Sequence, residues 1–125
     1  MSDPSIVNVD GDVQADAIVL EPAPAALTSA VINVSASGDN TLITGTIGQT
    51  IRVYRVLLVM KGGADLIFKD GAATNLTGAM TLTSAGSIVL DFNGEPWFVT
   101  SSGNAFILNL SAAKQASGRI YYIKS

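Results

Sequence analysis

Ile51-Arg52-Val53-Tyr54-Arg55-Val56-Leu57-Leu58-Val59-Met60 is a run that changes character halfway along. In its first half Arg52 stands between Ile51 and Val53, and β-branched residues with a tyrosine suit a strand that keeps one face wet. From Val56 onward every side chain is apolar. Successive strand residues point to opposite sides of a sheet, so Val56, Leu58 and Met60 need different cover from Leu57 and Val59. The pattern predicts that Leu57 and Val59 enter the core and that Val56, Leu58 and Met60 line a subunit interface.

The last apolar run repeats the problem, because Ile120, Tyr121, Tyr122 and Ile123 carry apolar bodies on both faces. A monomer leaves one set exposed, and an exposed apolar patch of roughly several hundred Å² marks an interaction surface. Self-association is therefore the favoured reading, with Tyr122 added to the interface. Cover of the second face by an N-terminal arm, or simple exposure at a sheet edge, is the alternative.

Between these runs the chain reads as short β-rich segments separated by turn residues at about 8–12 residue spacing, an all-β signature. The predicted strands are Val31–Ala36, Thr41–Thr46, Gln49–Met60, Asp65–Phe68, Asn75–Thr83, Ser87–Phe92, Trp97–Thr100, Ala105–Leu110 and Gly118–Ile123. Eight or nine strands in a domain of this size fit an antiparallel β-sandwich, jelly-roll-like, better than one flat sheet. Residues 1–30 differ from the rest: they are acidic, and Glu21-Pro22-Ala23-Pro24 favours extended backbone. They are read as an extended acidic N-terminal arm, and 31–125 as the sandwich domain. A short helix at Ala25–Ala30 suits the alanines, although six residues are too few to be stable alone.

Composition narrows the chemistry. The 125 residues are enough for one domain with its own core. With no cysteine and no histidine, disulfides, thiolate metal sites and the commonest general base are all absent. Charged residues make up only 14% and the net charge is −3, which argues against a nucleic-acid partner that needs a basic stripe. Charge is also uneven: residues 1–40 hold Asp3, Asp10, Asp12, Asp16, Glu21 and Asp39 with no basic group, so they carry −6. Residues 41–125 hold seven basic and four acidic groups, so they carry +3. The start Met1-Ser-Asp-Pro does not read as a signal peptide, and no apolar run approaches the roughly 20 residues that cross a bilayer. Synthesis in a host cytoplasm and no membrane partner are expected.

Each candidate for chemistry has a plainer explanation. Asp10-Gly11-Asp12 with Asp16 lacks the closing glutamate of a calcium loop. Asp91 and Glu95 flank Phe92-Asn93-Gly94 as the acids of a turn, and no aromatic-rich groove accompanies them for glycoside hydrolysis. Lys61 before Gly62-Gly63 reads as a hairpin charge, and that glycine pair lacks the Gly-Lys-Ser/Thr of a phosphate loop. Asn33, Asn75 and Asn109 head Asn-x-Ser/Thr triplets that chance explains in so Ser/Thr-rich a chain. Trp97 reads as a core tryptophan at a strand start rather than a ligand platform. No catalytic residue, cofactor or metal is expected, and the protein reads as a non-enzyme.

Ser37-Gly38-Asp39-Asn40-Thr41-Leu42, Gly48-Gln49-Thr50-Ile51-Arg52-Val53 and Leu76-Thr77-Gly78 resemble a small β module of tailed-bacteriophage virion proteins. The likeness continues through Gly94-Glu95-Pro96-Trp97-Phe98-Val99-Thr100, Gly103-Asn104-Ala105, Leu108-Asn109-Leu110-Ser111 and Gly118-Arg119-Ile120-Tyr121, so it covers roughly residues 35–123. These are mainly turn glycines and core positions. The module is similar to parts of head decoration proteins and to terminal pieces of tail or fibre proteins, both commonly trimeric. A chain that is little more than module plus arm is of the size expected of a decoration, or cement, protein. The resemblance implies a homotrimer on the outer surface of the capsid, bound to the major capsid protein. The alternative is a tail-fibre or baseplate module for host attachment. The arm, with apolar points Ile6, Val7, Val9, Val13, Ile18 and Leu20, is the segment expected to reach the capsid.

Overall fold

Ten strands follow one another in the residues that the computed structural model describes, 27–125. They are β1 (Thr28–Val34), β2 (Gly38–Ile43), β3 (Ile51–Met60), β4 (Ala64–Asp70), β5 (Thr74–Asn75), β6 (Met80–Leu82), β7 (Ser87–Leu90), β8 (Phe98–Val99), β9 (Phe106–Leu110) and β10 (Ala116–Lys124). All pairings are antiparallel and make two sheets. The first runs β1-β10-β3-β7, with β8 also on β3; the second runs β2-β9-β4-β5, with β6 also on β4. The pairing is nested: β1 joins β10, β2 joins β9, β3 joins β7 and β8, and β4 joins β5 and β6.

The expected strand Asn75–Thr83 is divided into β5 and β6. The Thr77 hydroxyl accepts the Phe68 N–H at 3.2 Å, a side chain standing in for a rung of the ladder.

Residues 28–30 are strand, not helix, and the sheet begins three residues before the expected domain boundary. Thr28, Ser29 and Ala30 pair with Tyr122, Tyr121 and Ile120, and that tertiary pairing overrides alanine's helix preference. The remainder of the expected arm, with the acidic Asp10–Asp16 cluster, lies outside the described residues.

The core lies between the sheets. From the first come the rows Ala30, Ile120, Val56, Leu90 and Ile32, Gly118, Leu58, Ile88; from the second come Leu66, Phe68, Phe106, Leu108 and Leu110. Each fully buried aliphatic or aromatic side chain is worth about 1.5–3 kcal/mol of transfer free energy. At one end Phe98 from the first sheet meets Phe68 and Phe106 from the second, with ring centroids 5.0 and 5.5 Å away. Gly118 is needed opposite Leu58, since a Cβ there would lie 1.8 Å from the Leu57 carbonyl oxygen.

The face assignment of β3 is corrected. Val56, Leu58 and Met60 are at most 2% exposed within their own chain, whereas Leu57 is 49% and Val59 42% exposed. Side chains already enclosed by the two sheets have no surface left for a second subunit. Tyr122 is corrected with them: it opposes Val53 and packs on the core, and Tyr121 takes the outward position.

The cause is a bulge. Tyr121 pairs with Arg55 but Tyr122 pairs with Val53, so β3 holds one extra residue, Tyr54. Period-two counting from Ile51 and Val53 carries Leu57 and Val59 inward; one inserted residue reverses the phase for the rest of the strand.

Candidate functional site

The outward face of the first sheet is built from three rows in register. One row is Val31, Arg119, Leu57 and Val89 across β1, β10, β3 and β7. Beside it lie Asn33, Ser117, Val59 and Ser87, and on the other side Ser29, Tyr121 and Arg55, with Asp91 just beyond β7. Val31 and Val89 are more than 60% exposed, so the middle row is an apolar strip interrupted by one guanidinium.

Polar contacts hold the charged side chains in this face. Arg55 Nε lies 3.3 Å from Asp91 Oδ1, and its guanidinium carbon sits 5.1 Å from the centroid of the Tyr121 ring. Arg119 donates to the Ser29 hydroxyl at 2.8 Å, and Arg52 donates to the Ser125 hydroxyl. Arg55, Leu57, Val89, Asp91, Arg119 and Tyr121 line a shallow depression of ≈ 320 Å³. Exposed Arg–Asp contacts of this kind add little stability.

Trp97 borders the same surface and corrects another expectation. It is 43% exposed, and its indole N–H donates to the Asp91 carbonyl at 2.8 Å; Phe98, the next residue, takes the inward place. Phe92 turns to Tyr54, with ring centroids 5.9 Å apart. Tryptophan, tyrosine and arginine around an aliphatic centre are the side chains most often found at binding hot spots.

The turn between Asp91 and Glu95 is held locally. Asp91 Oδ1 accepts the Phe92 N–H and Asn93 Oδ1 accepts the Glu95 N–H. Both acids are exposed, and among the described residues no group of three or more His, Cys, Asp or Glu is placed to hold a metal ion. Among those residues, too, no helix is long and apolar enough to cross a membrane.

Among the described residues Asp70 is the buried carboxylate, 6% exposed. Its Oδ2 accepts the N–H of Ser101 at 2.9 Å and the hydroxyl of Ser101 at 2.8 Å, while Oδ1 accepts Asn104 Nδ2 at 3.0 Å. Burial pushes the carboxyl up, but the Ser101 and Asn104 hydrogen bonds outweigh it and hold it below its ordinary value. The group ties the 101–104 loop to the end of β4. Both of its oxygens are engaged in that tie, as a structural carboxylate's would be.

The side chains of the expected interface residues Val56, Leu58, Met60 and Tyr122 therefore turn inward from this surface, although Val56 also borders the depression, and the expected capsid contacts Ile6, Val7, Val9, Val13, Ile18 and Leu20 lie outside the described residues. Sequence reading passed over Arg119, Val31 and Val89. A signal was present: Arg52 and Arg55 both reach outward although three residues apart, an odd spacing that strict alternation forbids. Comparison with family models, with curated proteins and with solved structures finds no match for this chain.

Proposed function

We propose that this protein is a head decoration protein of a tailed bacteriophage, a non-enzymatic homotrimer that binds the major capsid protein on the outer surface of the capsid and stabilises the lattice. The observation that carries the assembly part of this reading is the outward face of the first sheet, where Val31, Leu57, Val59 and Val89 stand exposed among Arg55, Arg119, Tyr121 and Trp97. The virion setting rests on the module resemblance over roughly residues 35–123. The nested strand order supports the jelly-roll form of the sandwich, in which a long hairpin bent between β4 and β5 is rolled until β10 meets β3 and β9 meets β4.

The mechanism is mass action. A ligand that binds only the assembled lattice stabilises that lattice, and three contacts on one trimer act with higher effective concentration than one. The test is to add purified protein to heads that lack it and to measure co-sedimentation and copy number. Saturable binding in many copies over the head, with protection of heads against heat, is the expected outcome. Attachment of a few copies at the tail points to the fibre or baseplate module instead.

A further inference from the structure

The outward face of the first sheet is basic as well as apolar. Arg52, Arg55 and Arg119 stand on it against Asp91. In a two-fold face-to-face contact between copies, Arg55 and Arg119 would be brought toward their own equivalents, and like charges brought together under burial oppose association. The surface calls for an acidic partner with apolar points.

The chain contains one. Residues 1–26 hold Asp3, Asp10, Asp12, Asp16 and Glu21 with no lysine or arginine, a charge of −5, interleaved with Ile6, Val7, Val9, Val13, Ile18 and Leu20. The acids of the second sheet are already committed: Asp39 accepts from Lys69 and Asn109, and Asp65 accepts from Thr81. The acidic segment joins the fold at β1, where Ser29 pairs with Tyr121 and receives the Arg119 hydrogen bond. It therefore enters at the edge of the very face it complements.

Reach is ample. β1 to β7 is three strand spacings, about 14 Å, while 26 residues span up to roughly 90 Å when extended. Direction decides between the chain's own face and a neighbour's. Pro22 and Pro24 stand between the acidic residues 3–16 and β1, and each proline fixes its own φ and biases the residue before it to extended backbone. Such restrictions disfavour a tight reversal of the chain at that point, which favours a neighbour's face over the chain's own. We propose that residues 1–26 of one copy dock on the Arg55, Leu57, Val89 and Arg119 face of another copy, so that the chains associate by arm exchange. This redirects to a neighbouring copy the apolar points that sequence reading assigns to the capsid.

The inference stands apart from the decoration reading because it is tested on purified protein without heads. Three full-length variants are compared with the unaltered chain by sedimentation equilibrium: Asp10→Lys/Asp12→Lys/Asp16→Lys, Arg55→Glu/Arg119→Glu, and the two sets combined. The unaltered chain should sediment at a multiple of 12.9 kDa. Each single set should weaken association by about tenfold or more in the dissociation constant, and the combined set should restore it. The arm set alters no residue of the described fold, and thermal melts report whether the face set still folds. A monomeric unaltered chain overturns the proposal, as does an arm set of unchanged mass or a folded combined variant that fails to regain association. Failure of the unaltered, self-associating chain to bind heads would count against the decoration reading alone.

Discussion

The two outward faces of the sandwich are built from the same antiparallel ladders and end up chemically opposite. On the second sheet the outward positions are occupied by Asp39, Asn109, Asp65, Lys69 and Thr81, linked to one another: Lys69 Nζ lies 3.0 Å from Asp39 Oδ1, Asn109 donates to the same carboxylate at 2.7 Å, and Thr81 donates to Asp65 at 2.6 Å. Even Ile107, between Thr41 and Lys69, is only 7% exposed. On the first sheet the corresponding rows leave Val31, Leu57, Val59 and Val89 open. A face whose polar groups satisfy one another gains little from a partner, whereas an open apolar strip gains about 25 cal/mol for each Å² it buries.

Four substitutions break or sharpen that contrast. The largest effect is expected from Leu58→Asp, which puts a carboxylate between the sheets at a position with no exposure. A loss of more than about 4 kcal/mol should abolish the cooperative melt, and a folded Leu58→Asp protein would mean that the two faces of β3 are exchanged. Next comes Asp70→Asn, where the charge-assisted bonds to Ser101 and Asn104 are weakened. About 2 kcal/mol should be lost at pH 7 in urea unfolding. Since the folded Asp70 value is lowered, its contribution is present above the unfolded carboxylate value of about 3.9 and disappears as pH falls through the folded value. The gap between unaltered and Asp70→Asn midpoints should therefore close in acid; a gap that widens there contradicts the assignment.

Leu57→Asp separates folding from association. Its side chain is half exposed, so stability should change by less than about 1 kcal/mol, while the dissociation constant of the assembly should rise about tenfold or more. Light scattering at several concentrations reads this directly. The smallest effect is expected on the opposite face. The Asn109 and Lys69 contacts hold the Asp39 carboxyl below its ordinary value, yet it is partly solvated, so Asp39→Asn should cost no more than about 1 kcal/mol. Its mass in solution should not change, and dissociation of the assembly by Asp39→Asn would shift the interface to the second sheet.

Much of the fold was legible in the chain. β-branched runs between glycine turns mark the sheets, and β3, β4, β7 and β9 fall where their apolar residues cluster. Alternation along Ala64–Asp70 also indicates which residues point inward, because no irregularity interrupts that strand. The candidate site was less legible. Trp97 lies outward because its N–H pairs across the Asp91 turn and Phe98 fills the core place, a choice between adjacent aromatics that composition cannot make.

Sequence alone established an all-β chain without histidine or cysteine chemistry and with an acidic first third, because residue type and period are local properties. Tertiary pairing settled which half of Val56–Met60 is core. A strand's phase depends on its neighbour's register, and the extra residue at Tyr54 exists only relative to Tyr121 and Tyr122 on β10. That one residue turns Leu58 into the core and Leu57 toward the surface where a partner can bind.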